Sequence, residues 1–243
     1  MKYSLAMGSD GVDAKEKFCI VFKQLYESSM LKSFQIKHGE SAFDIMLLIG
    51  ALILFTRNDA ALLFNEKKDV DERSMAGCVY RYMYCACLMG VFESTQPDID
   101  IEYDRMRVVG TEFVPKHFTI CAKPEKRCEE HQYEACKCFI KDHAKTCGKC
   151  KQFEKRIRPD LIIHRRDSEP SSDNGLIVEF KRHKVDGCDD VKLAYSTCSH
   201  GTLKYEVGAK VTLSCASQLV ELYRDSIKID ELNVFQDHVD YNV

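Results

Sequence analysis

Apolar positions along the chain fall into runs whose period changes from helical to strand-like. The densest run is IMLLIGALILF, Ile45–Phe55, bounded by Asp44 and Arg57. It falls short of the ~20 residues a membrane span needs, which predicts a buried helix and no membrane association. Residues 1–66 are helical and mixed in pattern, with few strand signals. DVDERSMAGCVYRYMYCACLMG, Asp69–Gly90, reads as a capped helix, with Asp69 or Asp71 as N-cap and a terminal glycine. Within it Glu72, Ala76, Val79 and Met83 recur at i, i+4, i+7 and i+11. That spacing places Glu72 on the apolar face.

Beyond this helix the period shortens to two. DIDIEYDR alternates and predicts a strand over Asp100–Arg105. RPDLIIHRR, Arg158–Arg166, is a short apolar strand with charged ends, and DSEPSSDNG, Asp167–Gly175, is a loop by its Pro, Ser, Asn and Gly content. GLIVEFKRHK, Gly175–Lys184, follows as a second strand, so the two predict an antiparallel hairpin. DDVKLAYSTC, Asp189–Cys198, predicts a short helix and KYEVGAKVTLSC, Lys204–Cys215, a strand. SQLVELYRDS, Ser217–Ser226, predicts a closing amphipathic helix. No internal repeat is visible.

Composition narrows the class. The chain has 243 residues, 45% of them apolar, enough for one domain with a full core and an appendage. The formal charge of −3 excludes a polycation, so nucleic-acid binding requires a local patch. Arg165, Arg166, Arg182, His183 and Lys184 form such a patch at the ends of the hairpin; its plainer reading is a solvated rim. There are thirteen cysteines. Met1–Ala14 lacks an apolar signal core, which predicts a cytoplasmic protein whose cysteines are reduced thiols or metal ligands. Those at 78, 85, 87, 198 and 215 fall on apolar faces and read as small core residues.

Between about residues 119 and 152 the composition turns abruptly to Cys, Lys, His and Glu, as an insertion would. Cys136-x-Cys138 and Cys147-x-x-Cys150 predict one structural Zn²⁺ on four thiolates. Cys121, Cys128, His131 and His143 are alternate ligands. A closed four-thiolate site has a folding role, not a catalytic one.

The chemistry concentrates on the hairpin. Successive strand residues face opposite ways, so Glu179 and Lys181 share one face and Val178 and Phe180 the other. Asp160 stands at the mouth of the preceding strand, where it could meet Glu179. Mg²⁺ is held by one or two carboxylates plus substrate phosphate, and a lysine beside it stabilises developing charge or orients water. The bland alternative is a surface charge pair with Pro-Asp as a strand start.

Pro159-Asp160, eighteen residues, then Glu179-Phe180-Lys181 resembles the PD-(D/E)xK signature of the restriction-endonuclease-like nuclease superfamily. The likeness runs from about Leu63 to Arg224 and takes in the upstream helix, both strands and the DVKLAY helix. It resembles small prokaryotic nuclease-like proteins in particular. The resemblance implies an α/β fold, a mixed central sheet flanked by helices over 63–243; the helical extension over 1–62 and the zinc-binding insertion fall outside it. It implies Mg²⁺- or Mn²⁺-dependent hydrolysis of phosphodiesters, DNA more than RNA, with a role in defence against foreign DNA. Asp160 and Glu179 would hold the metal, Lys181 would assist the attacking water, and Glu72 would complete the shell. For Glu72 plain capping at a helix N-terminus is the alternative. Lys192 and Tyr195 lie on the helix after the site, which by the resemblance helps orient water or substrate. Arg165, Arg166, Arg182 and Lys184 would contact the nucleic-acid backbone. Superfamily members often dimerise, so a homodimer stays open. A catalytically silent nucleic-acid- or protein-binding module on the same fold is the rival reading.

Overall fold

The computed structural model describes residues 2–4, 14–39, 41–64, 72–88, 98–101, 105–107, 113–115, 117–121, 152–156, 158–164, 174–182, 188–199, 203–236 and 238–242. It is a mixed α/β structure. Strand β1 (Lys2–Ser4) precedes helices α1 (Ala14–Tyr26), α2 (Ser29–His38), α3 (Ser41–Asn58), α4 (Ala60–Leu63) and α5 (Glu72–Leu88). Strands β2 (Asp98–Ile101), β3 (Arg105–Arg107), β4 (Phe113–Pro115), β5 (His117–Cys121), β6 (Gln152–Arg156), β7 (Leu161–His164) and β8 (Asn174–Lys181) follow. Helix α6 (Cys188–Ser196) then leads to β9 (Val207–Thr212), β10 (Ser217–Arg224), β11 (Ile227–Phe235) and β12 (His238–Asn242).

The main sheet has eight strands in the order β1-β12-β11-β10-β9-β8-β7-β2. Every neighbour pair is antiparallel except β8–β9, which α6 joins as a parallel crossover. A parallel pair needs such a crossover, and its strands are covered on both faces. β8 obeys this: Leu176 to Phe180 are all buried. Leu176, Val178 and Phe180 join Leu161, Ile163 and residues of α1–α5 in one core. On the opposite face α6 lies against β9 so closely that a Cβ on Gly208 would sit 3.1 Å from both Leu193 Cδ2 and Thr197 Cγ2.

The apolar run is α3. It is the described helix long and apolar enough to cross a membrane, and 78% of its apolar window is buried within the protein. Its buried residues belong to the same core as the sheet, and α3 packs on β8, β10 and β11 directly. α5 and β7 appear within the stretches predicted for them, while β8 and α6 each begin one residue earlier, at Asn174 and Cys188.

Four expectations need correction. Ser217–Ser226 is not a helix: Ser217–Arg224 form β10, paired with β9 on one side and β11 on the other. Gln218, Val220 and Leu222 are buried on one face, while Glu221 on the other meets Lys210 and Lys228 across the strands. Asp225 and Ser226 have φ of 47° and 69° and reverse the chain into β11, a backbone suited to a tight hairpin turn. The amphipathic spacing fits both periods over so short a run, and cross-strand partners decide it. The strand predicted over Asp100–Arg105 is instead β2, Asp98–Ile101, which ends where its partner β7 begins at Leu161; Arg105 opens β3. The N-terminal region carries a strand after all, because β12 offers Lys2–Ser4 an open edge. Cys215 is exposed between β9 and β10, not a core residue; Cys87 is buried and Cys78, Cys85 and Cys198 are half-buried.

Cys136, Cys138, Cys147, Cys150, Cys128, His131 and His143 lie outside the described residues. What the structure does show is the base of that insertion. β5 and β6 pair antiparallel and close on Cys121 opposite Gln152, so the two ends of the Cys-rich segment start side by side.

Gly50 offers a test of the α3 packing. A Cβ there would lie 2.4 Å from Cε1 of Phe22, a ring that is itself in the core. Gly→Ala in a helix gains about 1 kcal/mol of propensity, whereas overpacking a closed core costs about 1–3 kcal/mol. Gly50→Ala is therefore expected to lower the urea midpoint with an unchanged m-value. A midpoint equal to or above that of the wild type would show that the ring has room to withdraw.

Candidate active site

β8 carries a carboxylate into the protein interior. Glu179 is 1% exposed, although Ile177, Val178 and Phe180 around it are apolar and buried. Its parity puts it on the α6 face, with Lys181 two residues on. The antiparallel register pairs Leu161 with Val178 and Ile162 with Ile177, so Asp160, one step before Leu161, arrives beside Glu179. Asp160 is fixed there because its Oδ2 accepts the Phe180 N–H at 2.7 Å. The hairpin thus brings together the three residues Asp160, Glu179 and Lys181.

Two further elements complete a chain of charges. Lys192 on α6 donates to Glu179 Oε2 at 3.0 Å and lies 3.0 Å from Asp189 Oδ1. Asp189 Oδ2 is 3.3 Å from Lys181 Nζ. Lys181 donates to Glu72 Oε2 at 3.1 Å, and Glu72 Oε1 accepts the Arg182 backbone N–H at 3.0 Å. The order Glu72, Lys181, Asp189, Lys192, Glu179 alternates in sign throughout. Glu179 Oε1 is buried and has no hydrogen-bond partner among the described residues. Leaving such an oxygen unpaired costs about 1–3 kcal/mol.

Burial shapes the protonation. It pushes the Glu179 carboxyl up from 4.5 to about 8, against the opposing pull of the Lys192 ammonium. Asp160 is also raised, chiefly by burial, and the Phe180 N–H and the lysines offset part of that. For Lys192 burial works against the charge, but Glu179 and Asp189 outweigh it and hold the ammonium protonated. Lys181 is likewise raised, with Asp189 and Glu72 overcoming its partial burial.

Several expected residues fall elsewhere. Among the described residues no three of His, Cys, Asp and Glu gather as a metal cluster. Glu72 accepts from the Lys181 ammonium and from the Arg182 backbone N–H at the end of β8. The Arg182 guanidinium lies over the Phe64 ring, 5.6 Å from its centroid. His164 Nε2 is 2.8 Å from Asp100 Oδ2 on the edge strand. Tyr195 is buried on α6. Arg165, Arg166, His183 and Lys184 lie outside the described residues.

Asp189 was missed by sequence reasoning, and so was the grip of Lys192 on Glu179. The available signal was Asp189-x-x-Lys192, an i,i+3 pair opening the helix directly after the E-x-K strand. A cleft of about 530 Å³, lined by Lys37, His38, Ser41, Lys204, Glu206 and Arg224 among others, lies at the other end of the sheet. Glu206 stands there just ahead of β9, where its N–H meets the Asn174 carbonyl at the start of β8. None of the carboxylate-site residues lines it.

No family model, no curated protein and no solved structure matches the chain.

The raised Glu179 carboxyl makes a stability prediction. Between its unfolded value of 4.5 and about 8 the folded chain keeps a proton that the unfolded chain has released. The stability this confers is fully present below the unfolded pKa and is lost as pH rises through the folded one. In EDTA the Tm of wild type is therefore expected to fall more steeply between about pH 5 and pH 8 than that of Glu179→Gln, which cannot titrate there. Parallel curves for the two proteins would show that Glu179 is ionised throughout.

Proposed function

We propose that the chain is a divalent-cation-dependent nuclease of the PD-(D/E)xK type. The observation that carries this reading is the meeting of Asp160, Glu179 and Lys181 at one end of the β7–β8 hairpin, with Glu179 presenting a buried, unpartnered oxygen. The order α5, β2, β7, β8, α6, β9 supports a restriction-endonuclease-like core: a helix, three antiparallel strands, a crossover helix and a parallel strand.

The donor set fits Mg²⁺ or Mn²⁺. Hard oxygen ligands are what such ions take, and they need only one or two carboxylates when substrate phosphate supplies the rest. The charge count agrees. Glu72, Asp160, Glu179 and Asp189 are four carboxyls facing two ammoniums, Lys181 and Lys192, so full ionisation leaves two negative charges. One divalent cation neutralises that excess.

Asp160 and Glu179 would hold the ion. When bound it polarises a phosphodiester and lowers the pKa of water. The chain's own groups do the rest. Lys181 is kept protonated and held by Glu72 and Asp189, so its ammonium is preset to stabilise charge developing on a phosphate. The Phe180 N–H fixes one oxygen of Asp160 and leaves the other open to the ion. The substrate is a nucleic acid, DNA rather than RNA by the resemblance alone, in a cytoplasmic setting. A structural Zn²⁺ on the Cys-rich insertion and contact of Arg182 and its neighbours with the phosphate backbone belong to the same reading.

Incubation with supercoiled DNA, linear DNA and single-stranded RNA, in EDTA, Mg²⁺ or Mn²⁺, tests it. Cleavage is expected with the cations only. Lys181→Ala and Glu179→Ala should each lower the rate by at least ~100-fold, the scale on which one positioned charge acts in such a site. Absence of cleavage by the folded wild type, or equal cleavage by both variants, would leave a binding module in place of the enzyme.

A further inference from the structure

We propose that Lys192 is a built-in stand-in for the divalent cation: it occupies Glu179 in the cation-free protein and moves onto Asp189 when a cation binds. This rests on the cation site of the preceding section.

Three observations carry it. The first is position. Lys192 comes from α6, outside the E-x-K strand, yet its ammonium reaches a carboxylate that is buried in the sheet, donating to Glu179 Oε2 at 3.0 Å. A buried carboxylate without a counter-charge is costly, so a cation-free site of this kind needs a positive group of its own. The second is the destination. Asp189 Oδ1 already lies 3.0 Å from the same ammonium and one helical turn away on α6, so Lys192 can leave Glu179 without losing its charge partner. Asp189 is itself 3% exposed and would otherwise rely on Lys181 alone. The third is the vacancy. Glu179 Oε1 is buried and unpartnered, so Lys192 satisfies only half of the carboxylate.

Lys192 and an incoming cation share one carboxylate and carry like charge. They repel at a separation where the surrounding protein screens weakly. The ammonium must therefore give way, and the direction open to it is Asp189. The consequence is a site that folds stably without metal, at the cost of weakened metal affinity. Lys181 does not serve this role, because its partners are Glu72 and Asp189 and not Glu179.

Mn²⁺ binding, read by electron paramagnetic resonance of the free ion, tests the proposal without reference to activity. Lys192→Gln keeps a hydrogen-bond donor to Glu179 and removes the charge; Lys192→Arg keeps the charge. The expected result is Mn²⁺ binding at least ~10-fold tighter in Lys192→Gln than in wild type, with Lys192→Arg close to wild type. In EDTA, Lys192→Gln should melt below wild type, and Mn²⁺ should raise its Tm by more than it raises that of wild type. Equal or weaker binding by Lys192→Gln overturns the stand-in role and makes Lys192 a fixed support of Glu179. If wild type, Lys192→Gln and Lys192→Arg all fail to bind Mn²⁺, the cation site itself falls, and the stand-in with it. Should Lys192→Gln not fold, wild type decides the matter. Acetylation of Lys192, measured by mass spectrometry, is expected to rise at saturating Mn²⁺ as the ammonium leaves Glu179. Unchanged labelling in a protein that binds Mn²⁺ overturns the proposal.

Discussion

A carboxylate buried in the middle of a sheet is the constraint around which this end of the molecule is arranged. Glu179 sits on a strand covered on both faces, and its charge has no water to dissolve in. Desolvation of this kind either protonates the group or demands a cation beside it. The structure supplies both responses: the carboxyl is raised toward neutrality, and Lys192 is drawn to it from α6. That requirement reaches into the topology. Lys192 can arrive only because α6 docks tightly across β8 and β9, and it docks tightly because Gly208 has no side chain to hold it off.

The opposite end of the sheet deals with buried polarity differently. His38 and Asp230 are both buried, with His38 Nε2 3.0 Å from Asp230 Oδ2 and Lys37 also on that carboxylate. There burial lowers the histidine to about 4, against the pull of Asp230, so the ring stays neutral and Lys37 supplies the charge. Arg224 caps the same region, donating to the carbonyls of Lys37 and His38 at 3.3 and 3.1 Å at the end of α2. These contacts tie α2 to β10 and β11. They belong to the scaffold, although His38 and Asp230, like Glu179, each have a buried atom outside any hydrogen bond among the described residues. What separates the two ends is charge: Asp160, Glu179, Asp189 and Glu72 outnumber Lys181 and Lys192 at the one, whereas Lys37 and Arg224 flank Asp230 and a neutral His38 at the other.

The helices before residue 63 follow from the same burial argument. α3 is apolar almost all round, so it needs cover on every side. The sheet supplies one wall, through Leu161, Val178, Phe180 and Val220, and α1, α2 and α5 supply the others. Removing this helix would strip much of one face from the strand that carries Glu179. The N-terminal region therefore shares the core of the part of the chain that bears the chemistry.

Whatever depends on local period was legible in the residues alone. Strand parity placed Glu179 and Lys181 on one face and Phe180 on the other; two apolar runs parted by Pro, Ser, Asn and Gly predicted the antiparallel pairing of β7 and β8; and the apolar density of Ile45–Phe55 made α3 a buried helix. These follow from geometry a few residues long, so no distant contact was needed to read them. Tertiary structure alone decided the rest. Ser217–Arg224 is a strand because β9 and β11 flank it, though its spacing suits a helix as well. Glu72 pairs with Lys181, not with the other carboxylates, because the start of α5 meets the end of β8. Lys192 reaches Glu179, and Asp189 reaches Lys181, only through the docking of a helix on a sheet. Which charges meet across elements depends on how faces pack, and packing is a property of the whole chain that no short window of residues contains.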